Sequence, residues 1–338
     1  MTTGHRGDAG AAAGSGTSGR PRVVFFDPDS WVIPWSFDVE RAIFAERGVT
    51  LVEPRDAAEA DQAIRDADIV VASGLRQLDA AAIATLRNCA GILCYSIGMN
   101  QVDQEAARAA GIPVSNVPFC VDEVSDHALT LLLAAERRLI LLADAAASGN
   151  WDVADHPEYL RIRRLRGQTL GIIGAGRIGK LVARKARAFG FRTLAYDPYI
   201  TSTGDPELPL LALHDVLGQA DAVVTCASLT ATSRGVMNEA AFAALKPGAI
   251  IVNIARGGLI DEPALAAAMR DGRVSVAALD VRSPEPPIPD NDALAGLPNL
   301  ILTPHVAGVA VEAREDLHTG AAAECLEMLA AAGRISAA

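Results

Sequence analysis

The chain has 338 residues, a mass of 35.2 kDa and a formal net charge of −11 at pH 7. This length allows two domains of ordinary size. The negative charge argues against nucleic acid or an anionic membrane as a main partner. Hydrophobic residues make up 50% of the chain, which is enough to fill a sizeable core. We therefore expect a globular protein that uses neither nucleic acid nor membrane as a partner.

The N-terminal segment and the cysteines bear on where the protein works. Residues 1–21 are rich in small residues and lack the apolar run of a signal peptide, so we predict a disordered tail. The five cysteines are odd in number and lack the spacing of metal ligands. This pattern favours reduced thiols, no bound metal ion and a cytoplasmic location.

Strand and helix patterns alternate along the chain in two successive series. The first series has candidate strands at Arg22–Asp27, Thr50–Glu53, Ile69–Ala72, Gly91–Ser96 and Ile112–Asn116. The second has them at Thr169–Ile173, Arg192–Asp197, Asp221–Cys226, Ala249–Ile254, Ser275–Asp280 and Asn299–Thr303. Nearly continuous apolar strands joined by helices indicate parallel sheets covered on both faces. The sequence therefore predicts an α/β protein with two doubly wound parallel-sheet domains.

Two long helical stretches have no obvious place in a single small domain. Ala128–Ala143 is rich in apolar residues, is interrupted by Glu136, Arg137 and Arg138, and predicts one long buried or interface helix. The last predicted helix, Ala310–Ala332, has no strand after it. It could return to pack on the first domain.

A glycine-rich loop, residues 174–179, follows the first strand of the second series and opens a helix. Gly174 permits a tight turn, Gly176 lets the backbone approach a pyrophosphate, and Gly179 lets the helix pack closely on the sheet. Asp197 ends the next strand and can accept hydrogen bonds from ribose hydroxyls. Since no cation follows Asp197 to hold a 2′-phosphate, the sequence predicts NAD rather than NADP.

Three residues follow later strands of the same series, at the edge where such sheets bind ligands. Arg256 can hold the carboxylate and carbonyl of a 2-oxo acid in bidentate form. His305 can give a proton to the carbonyl oxygen, and Glu285 beside it would favour the protonated imidazole. Taken singly, each residue is also compatible with an ordinary loop or surface role. The remaining histidines, among them His127 at a helix start, are weaker candidates for catalysis.

Four segments of the chain resemble the signature segments of the D-isomer-specific 2-hydroxyacid dehydrogenases: Gly171–Gly179, Asn253–Glu262, Ala278–Pro287 and Thr303–Gly308. The resemblance implies that Arg256 binds the substrate carboxylate and carbonyl. It also implies that His305 is the acid–base residue and that Glu285 supports it. The implied enzyme transfers a hydride reversibly between NADH and a small 2-oxo acid.

The resemblance also implies how the domains are arranged along the chain. Residues 22–119 and 308–338 are expected to form a flavodoxin-like substrate domain. A Rossmann NAD-binding domain, residues 120–307, is expected to be inserted into it. The family builds a two-fold dimer with the helix near the start of the inserted domain, so we predict a homodimer through residues 121–150.

The expected NAD contacts come from Gly174, Gly176, Arg177, Ile178, Gly179, Asp197, Pro198, Cys226, Ser233, Ile254, Ala255, Asp280 and Gly308. Residues 96–103 are similar to the substrate loop of phosphoglycerate dehydrogenase, which suggests substrate contacts by Ile97, Gly98 and Asn100. Arg76 falls near the position at which that enzyme places a phosphate-binding arginine, which suggests a further substrate contact. Other segments are similar to bacterial relatives of C-terminal binding protein, a corepressor. Two functions therefore remain open: a dehydrogenase whose 2-oxo acid is plain or phosphorylated, and an NADH-sensing interaction protein.

Overall fold

The computed structural model describes residues 19–28, 36–74, 76–152 and 159–336. Most of the predicted disordered tail, residues 1–21, lies outside the described residues. The chain divides into two compact units: one comprises the residues up to 93, 103–115 and those from 321 on, and the other comprises 94–102 and 116–320. Residues 94–102 and 308–320 thus group with the second unit, whereas the domain boundaries predicted from the sequence stay a prediction.

The first sheet has five strands: β1 (Arg22–Phe25), β2 (Thr50–Val52), β3 (Ile69–Ala72), β4 (Gly91–Cys94) and β5 (Val114–Asn116). Their spatial order is β2-β1-β3-β4-β5, and β1 pairs in parallel with both β2 and β3. This is the strand order of flavodoxin-like sheets. The helices between these strands are α1 (Asp38–Glu46), α2 (Ala57–Ala63), α3 (Ala80–Ile83) and α4 (Gln104–Ala109).

Helices α5 (Val121–Glu136) and α6 (Leu139–Ala147) precede the second sheet. Its strands are β6 (Thr169–Ile173), β7 (Arg192–Tyr196), β8 (Ala222–Thr225), β9 (Ala249–Asn253), β10 (Val274–Leu279) and β11 (Leu300–Leu302). The later helices are α7 (Arg177–Ala188), α8 (Leu213–Gln219), α9 (Glu239–Ala244), α10 (Glu262–Arg270) and α11 (Val311–Ala331).

The second sheet is parallel throughout, in the order β7-β6-β8-β9-β10-β11. The chain reverses its direction of winding between β6 and β8, and ligands of such sheets bind at that switch point. All predicted strands are present, with ends that differ by at most two residues. The predicted α/β class with two doubly wound parallel sheets is therefore confirmed.

The prediction of one continuous helix over Ala128–Ala143 was wrong. Helix α5 ends at Glu136, and α6 begins at Leu139 after Arg138 adopts a left-handed φ of 51°. Such a residue cannot continue a right-handed helix, and for a non-glycine residue it costs about 1–2 kcal/mol. The Arg138 side chain stabilises the bend by donating a hydrogen bond to the Ala135 carbonyl at 2.9 Å.

Alternate residues of the central strands belong to two separate parts of the core in the second unit. Leu170 and Ile172 of β6 pack with residues of α5 and α7. Ile173 packs with residues of α8, α9 and α10. Successive side chains of a strand point to opposite faces, so helices cover both faces of this sheet. No helix among the described residues is long and apolar enough to cross a membrane.

Candidate active site

The glycine loop follows β6 and has a shape that its glycines permit. Gly174 has a φ of 97°, and a Cβ there would lie 2.6 Å from the backbone of Ala227. A Cβ on Gly179 would overlap the carbonyl oxygen of Gly174. At Gly176, by contrast, a Cβ would meet nothing within 4 Å. The loop is therefore tightly packed at both ends and open in the middle, where a phosphate can approach the backbone.

Helix α7 supplies the remaining features of a dinucleotide site. It begins at Arg177, with Gly176 as its N-cap, and no side chain caps its first N–H groups. These groups and the positive end of the helix dipole favour an anion. The carboxylate of Asp197, just after β7, accepts hydrogen bonds from the N–H groups of Ala175 and Tyr199, both at 3.0 Å. Asp197 is thus fixed beside the loop, where a carboxylate fits the ribose hydroxyls of NAD.

A second predicted cofactor segment follows β8. The N–H of Cys226 donates to the carbonyl of Ile173 at 2.7 Å, which joins this segment to the end of β6. The Ser233 hydroxyl donates to the carbonyl of Ser228 at 2.6 Å and accepts from the N–H of Thr230 at 2.8 Å. The hydroxyl of Ser233 therefore ties this loop together. The NAD contacts of Cys226 and Ser233 stay predictions.

The other predicted cofactor residues also lie in the second unit. Pro198 is exposed after β7, whereas Ile178 and Ala255 are half-buried and Ile254 is buried. Gly308 packs so closely on the start of α5 that a Cβ would lie 2.6 Å from the sulfur of Cys120. Gly308 thus has a packing role, and its NAD contact stays a prediction.

Arg256 lies in the loop after β9 and is held by its neighbours. Its Nη1 donates to the carbonyl of Ala255 at 2.7 Å, and its Nε donates to Oδ1 of Asn100 at 3.1 Å. Asn253, at the end of β9, donates from Nδ2 to the carbonyl of Arg256 at 3.0 Å. Burial lowers the pKa of the guanidinium, and the carboxylate of Glu285 opposes this shift. Hydrogen bonds therefore fix both the side chain and the backbone of Arg256.

The predicted substrate loop lies against this arginine. A Cβ on Gly98 would overlap Nη2 of Arg256, so only glycine leaves room for the guanidinium there. The amide of Asn116 donates to the carbonyl of Ile97 at 2.5 Å and fixes the loop. The structure thus brings Gly98 and Asn100 into contact with Arg256. Whether these residues bind substrate stays a prediction.

Arg76, the fourth predicted substrate residue, belongs to the first unit and is occupied there. Its Nη2 forms an ion pair with Asp61 at 2.6 Å, and its Nη1 donates to the carbonyl of Phe26 at 3.1 Å. The guanidinium carbon also lies 4.1 Å from the centre of the Phe26 ring, within cation–π range. These contacts give Arg76 a structural role within the first unit.

Glu285 and His305 form a direct pair. Nδ1 of His305 lies 2.7 Å from Oε1 of Glu285, and the imidazole is 39% exposed, so it can meet a ligand. His305 has a left-handed φ of 55°, which is uncommon for a residue other than glycine. Its N–H donates to the carbonyl of Asp280 at 2.8 Å. The turn therefore depends on neighbouring hydrogen bonds to keep this conformation.

Asp280 directly follows β10, and its buried carboxylate accepts further hydrogen bonds from the same turn. Oδ1 accepts from the Thr303 hydroxyl at 2.5 Å and from the N–H of Val306 at 2.9 Å, and Oδ2 accepts from the N–H of Ala307 at 2.9 Å. Burial alone would raise the pKa of Asp280, but the nearby imidazole of His127 and the hydrogen bonds from Thr303 and the two N–H groups hold it below its ordinary value. The carboxylate organises the loop, and its predicted NAD contact stays a prediction.

A buried group of charges holds the segment just before Glu285. Nε and Nη2 of Arg282 donate to the two carboxylate oxygens of Glu262, both at 2.9 Å, and Nη2 also lies 2.6 Å from Asp292. The N–H of Ser283 donates to Glu262 at 3.0 Å. The hydrogen bond to Glu262 raises the pKa of Arg282, so this cation stays charged. Helix α10, which begins at Glu262, is thereby joined to the loop of Glu285.

Sequence reasoning did not assign roles to several of these supporting residues. Asn253 had a local signal, since a polar residue ends a fully buried strand directly before the predicted substrate-binding arginine. Arg282 and Glu262 are 20 positions apart, and His127 and Thr303 are 176 apart. No local pattern pairs residues at such separations.

Comparison with known proteins agrees with this fold. The NAD-binding domain model of the D-isomer specific 2-hydroxyacid dehydrogenases matches residues 129–307. A glyoxylate reductase of Thermococcus kodakarensis is 36% identical over 260 residues, which are 75% of this chain and 78% of that protein. A D-3-phosphoglycerate dehydrogenase of Mycobacterium leprae is 35% identical over 277 residues. This alignment covers 81% of this chain but only 51% of that dehydrogenase.

Among solved structures, the TT0316 protein from Thermus thermophilus is similar with a TM-score of 0.77 and 34% identity. The superposition covers 92% of this chain and 97% of that one. The sheet order, the glycine loop and Asp197 are those of an NAD-binding protein. The chain belongs to the D-isomer-specific 2-hydroxyacid dehydrogenase family, and it is an NAD-dependent enzyme of that family.

Proposed function

We propose that the enzyme reduces a small 2-oxo acid to the D-2-hydroxy acid with NADH, reversibly, and that Arg256, Glu285 and His305 do the chemistry. The observation that carries this proposal is the 2.7 Å contact between Nδ1 of His305 and Glu285. A carboxylate that accepts a hydrogen bond from Nδ1 fixes the tautomer and orientation of the ring. The proton exchanged with substrate is then the one on Nε2.

Arg256 is suited to hold the substrate. Its Nε and Nη1 bind Asn100 and Ala255, and no protein atom among the described residues accepts a hydrogen bond from Nη2. A planar guanidinium can use that edge for the carboxylate and carbonyl oxygens of a 2-oxo acid. We expect Arg256→Lys to raise KM and lower kcat together, because a point charge cannot replace the planar fork. Near-wild-type kinetics in this variant would remove Arg256 from the site.

NAD fits the cradle of Gly174, Gly176 and Gly179, with Asp197 beside it; when bound in reduced form it supplies the hydride. We expect at least about a tenfold preference for NADH over NADPH, because a 2′-phosphate would meet the carboxylate of Asp197. Equal kcat/KM with the two cofactors would contradict this assignment.

For the substrate we propose an unphosphorylated acid of the glyoxylate type. A phosphorylated acid would need a cation for its phosphate, and the candidate cation, Arg76, is already paired with Asp61 and stacked on Phe26. The test is NADH oxidation with glyoxylate, pyruvate, hydroxypyruvate and phosphohydroxypyruvate. A preference for the phosphorylated acid would overturn the substrate proposal. Turnover of none of them would instead favour the NADH-sensing function, for which the relatives give no support.

We also propose a homodimer through residues 121–150. Helix α6 is strongly apolar in sequence, yet none of its residues is buried, and Leu139 and Ile140 are 56% and 48% exposed. An apolar helix left in water favours a partner surface. Light scattering at micromolar concentration should give a dimer mass, and a double Leu139→Lys, Ile140→Lys variant should give a monomer. A monomeric wild type would contradict the proposal.

Location in the cytoplasm is a further part of this proposal. All five cysteines are free, and Cys94, Cys120 and Cys325 are buried. Free buried thiols suit a reducing compartment. Recovery of the native protein with the cytoplasmic fraction of its own cells would support this location, and recovery from an extracytoplasmic fraction would contradict it.

A further inference from the structure

His127 lies on α5, away from the three proposed reacting residues, yet it contacts the network that holds one of them. Its Nε2 is 3.0 Å from the hydroxyl oxygen of Thr303 and 3.5 Å from Oδ1 of Asp280. The imidazole is 20% exposed. Its contact is therefore with the turn that carries His305, within the same compact unit.

The direction of these hydrogen bonds follows from the chemistry of the groups. An ionised carboxylate only accepts, so the single proton of the Thr303 hydroxyl goes to Asp280, 2.5 Å away. The oxygen of Thr303 must then accept from His127, and Nε2 of His127 must carry a proton. The result is a directed chain from His127 through Thr303 to Asp280.

The last member of this chain fixes the turn of His305. The carboxylate of Asp280 accepts from the N–H groups of Val306 and Ala307, and its carbonyl accepts from the N–H of His305. His305 itself has a left-handed φ of 55°. Such a conformation is strained and persists only where the surroundings hold it. Loss of one support should therefore let the His305 turn relax.

A second contact between α5 and the same turn supports this view. Cys120, at the N-cap of α5, packs so closely on Gly308 that no Cβ fits there. The first turns of α5 thus contact the loop after β11 at two points: by packing at Gly308 and by a hydrogen bond at Thr303.

We propose that His127 is a positioning residue, which acts through Thr303 and Asp280 to set the orientation of His305 for proton transfer. The inference rests on the proposed acid–base function of His305. His127 acts as a hydrogen-bond donor. It makes no contact with the reacting atoms, and its N–H keeps the hydroxyl of Thr303 directed at Asp280.

The first test compares two substitutions that differ in the donor. His127→Leu keeps an apolar side chain of moderate size and removes the N–H, whereas the amide of His127→Gln can place an N–H near the position of Nε2. We expect kcat for glyoxylate reduction to fall on the order of 10- to 100-fold in the Leu variant, as for a misplaced reacting group. The Gln variant should recover most of this loss. His214→Gln, on an 84% exposed side chain of α8, is the matched control and should behave as wild type.

A readout that does not depend on turnover separates positioning from general damage. In NMR spectra of protein labelled with ¹⁵N-histidine, the ring signals of His305 can be assigned as those that are missing from the spectrum of His305→Gln. We expect these signals to shift or broaden in His127→Leu and to keep their wild-type positions in His127→Gln and His214→Gln. Unchanged signals together with wild-type kcat in His127→Leu would overturn the inference. Equal impairment of the Leu and Gln variants would also overturn it, since the donor would then not matter.

Thr303→Val provides an independent test if His127→Leu does not fold. It removes the hydroxyl that joins His127 to Asp280, so we expect the same loss of kcat as in His127→Leu. The double variant should lose no more than either single variant, because both break one chain of contacts. Additive losses of kcat would contradict the proposal that both residues act through the same chain of hydrogen bonds. Full activity of His305→Gln is a different result, because it would remove the proposed function itself.

Discussion

Glu285 and His305 form one pair, but the loops that hold them differ in chemistry. The Glu285 loop is attached through Arg282 to the carboxylates of Glu262 and Asp292, with side chains only 7%, 12% and 14% exposed. The His305 turn is held by hydrogen bonds that converge on Asp280. Breaking a buried ion group leaves an uncompensated charge, whereas a hydrogen-bonded turn can relax locally. The first loop should therefore matter most for folding, and the second for the geometry of proton transfer.

The largest expected effect on stability comes from the buried ion pairs that hold the Glu285 loop. Arg282→Met should lower the free energy of unfolding by about 3–5 kcal/mol, because Glu262 and Asp292 would stay buried without their cation. Urea denaturation measures the change. Arg87→Met is the matched control: it removes an ion pair to Asp66 in which the two side chains are 65% and 57% exposed, and such exposed pairs contribute about 0–1 kcal/mol. Similar losses in the two variants would contradict the role given to Arg282.

A smaller loss of stability is expected from Asp280→Asn. One of the groups that donate to the carboxylate would lose its acceptor, which costs about 1–3 kcal/mol. Because the pKa of Asp280 is lowered by folding, its contribution is present above the ordinary aspartate pKa of about 3.9 and is lost as the pH falls below that value. The wild type should therefore lose more stability than the variant between about pH 7 and pH 3. Parallel pH dependences of the free energy of unfolding in the two proteins would show that Asp280 does not supply this contribution.

The smallest expected effect is on catalysis, from Glu285→Gln. The amide can still hold the ring but no longer offers a charge to the imidazolium, so kcat for reduction should fall about tenfold. Glu312→Gln, at an exposed position in the first turn of α11, is the control and should be neutral. Steady-state kinetics with saturating NADH would decide. An unchanged kcat in Glu285→Gln would mean that the pair seen in the structure has no part in the reaction.

The same comparison shows what can be read from the sequence. The strands were predictable because β6, β8 and β9 are continuous apolar runs, and the glycine loop because its spacing reflects local backbone geometry. The three proposed reacting residues were singled out because each follows a strand at one edge of one sheet. The supports of Glu285 and His305 were not found, because pairs such as Arg282–Asp292 and His127–Thr303 depend on tertiary folding.

The break between α5 and α6 is a second feature that local sequence patterns do not predict. Apolar periodicity continues across Arg137 and Arg138, so local pattern predicts one helix. The left-handed φ of Arg138 is favoured by contacts of its buried side chain, including the hydrogen bond to Ala135. A backbone conformation stabilised by tertiary burial leaves no periodic signal in the sequence.

The most direct test of the account is the reduction rate of His305→Gln with NADH and the preferred 2-oxo acid. The proton donor would be lost, while the cradle of Gly174, Gly176 and Asp197 would be untouched. We expect kcat to fall on the order of 10²- to 10⁴-fold, with an unchanged Kd for NADH measured by fluorescence. Full activity of this variant would contradict the dehydrogenase mechanism proposed for this protein.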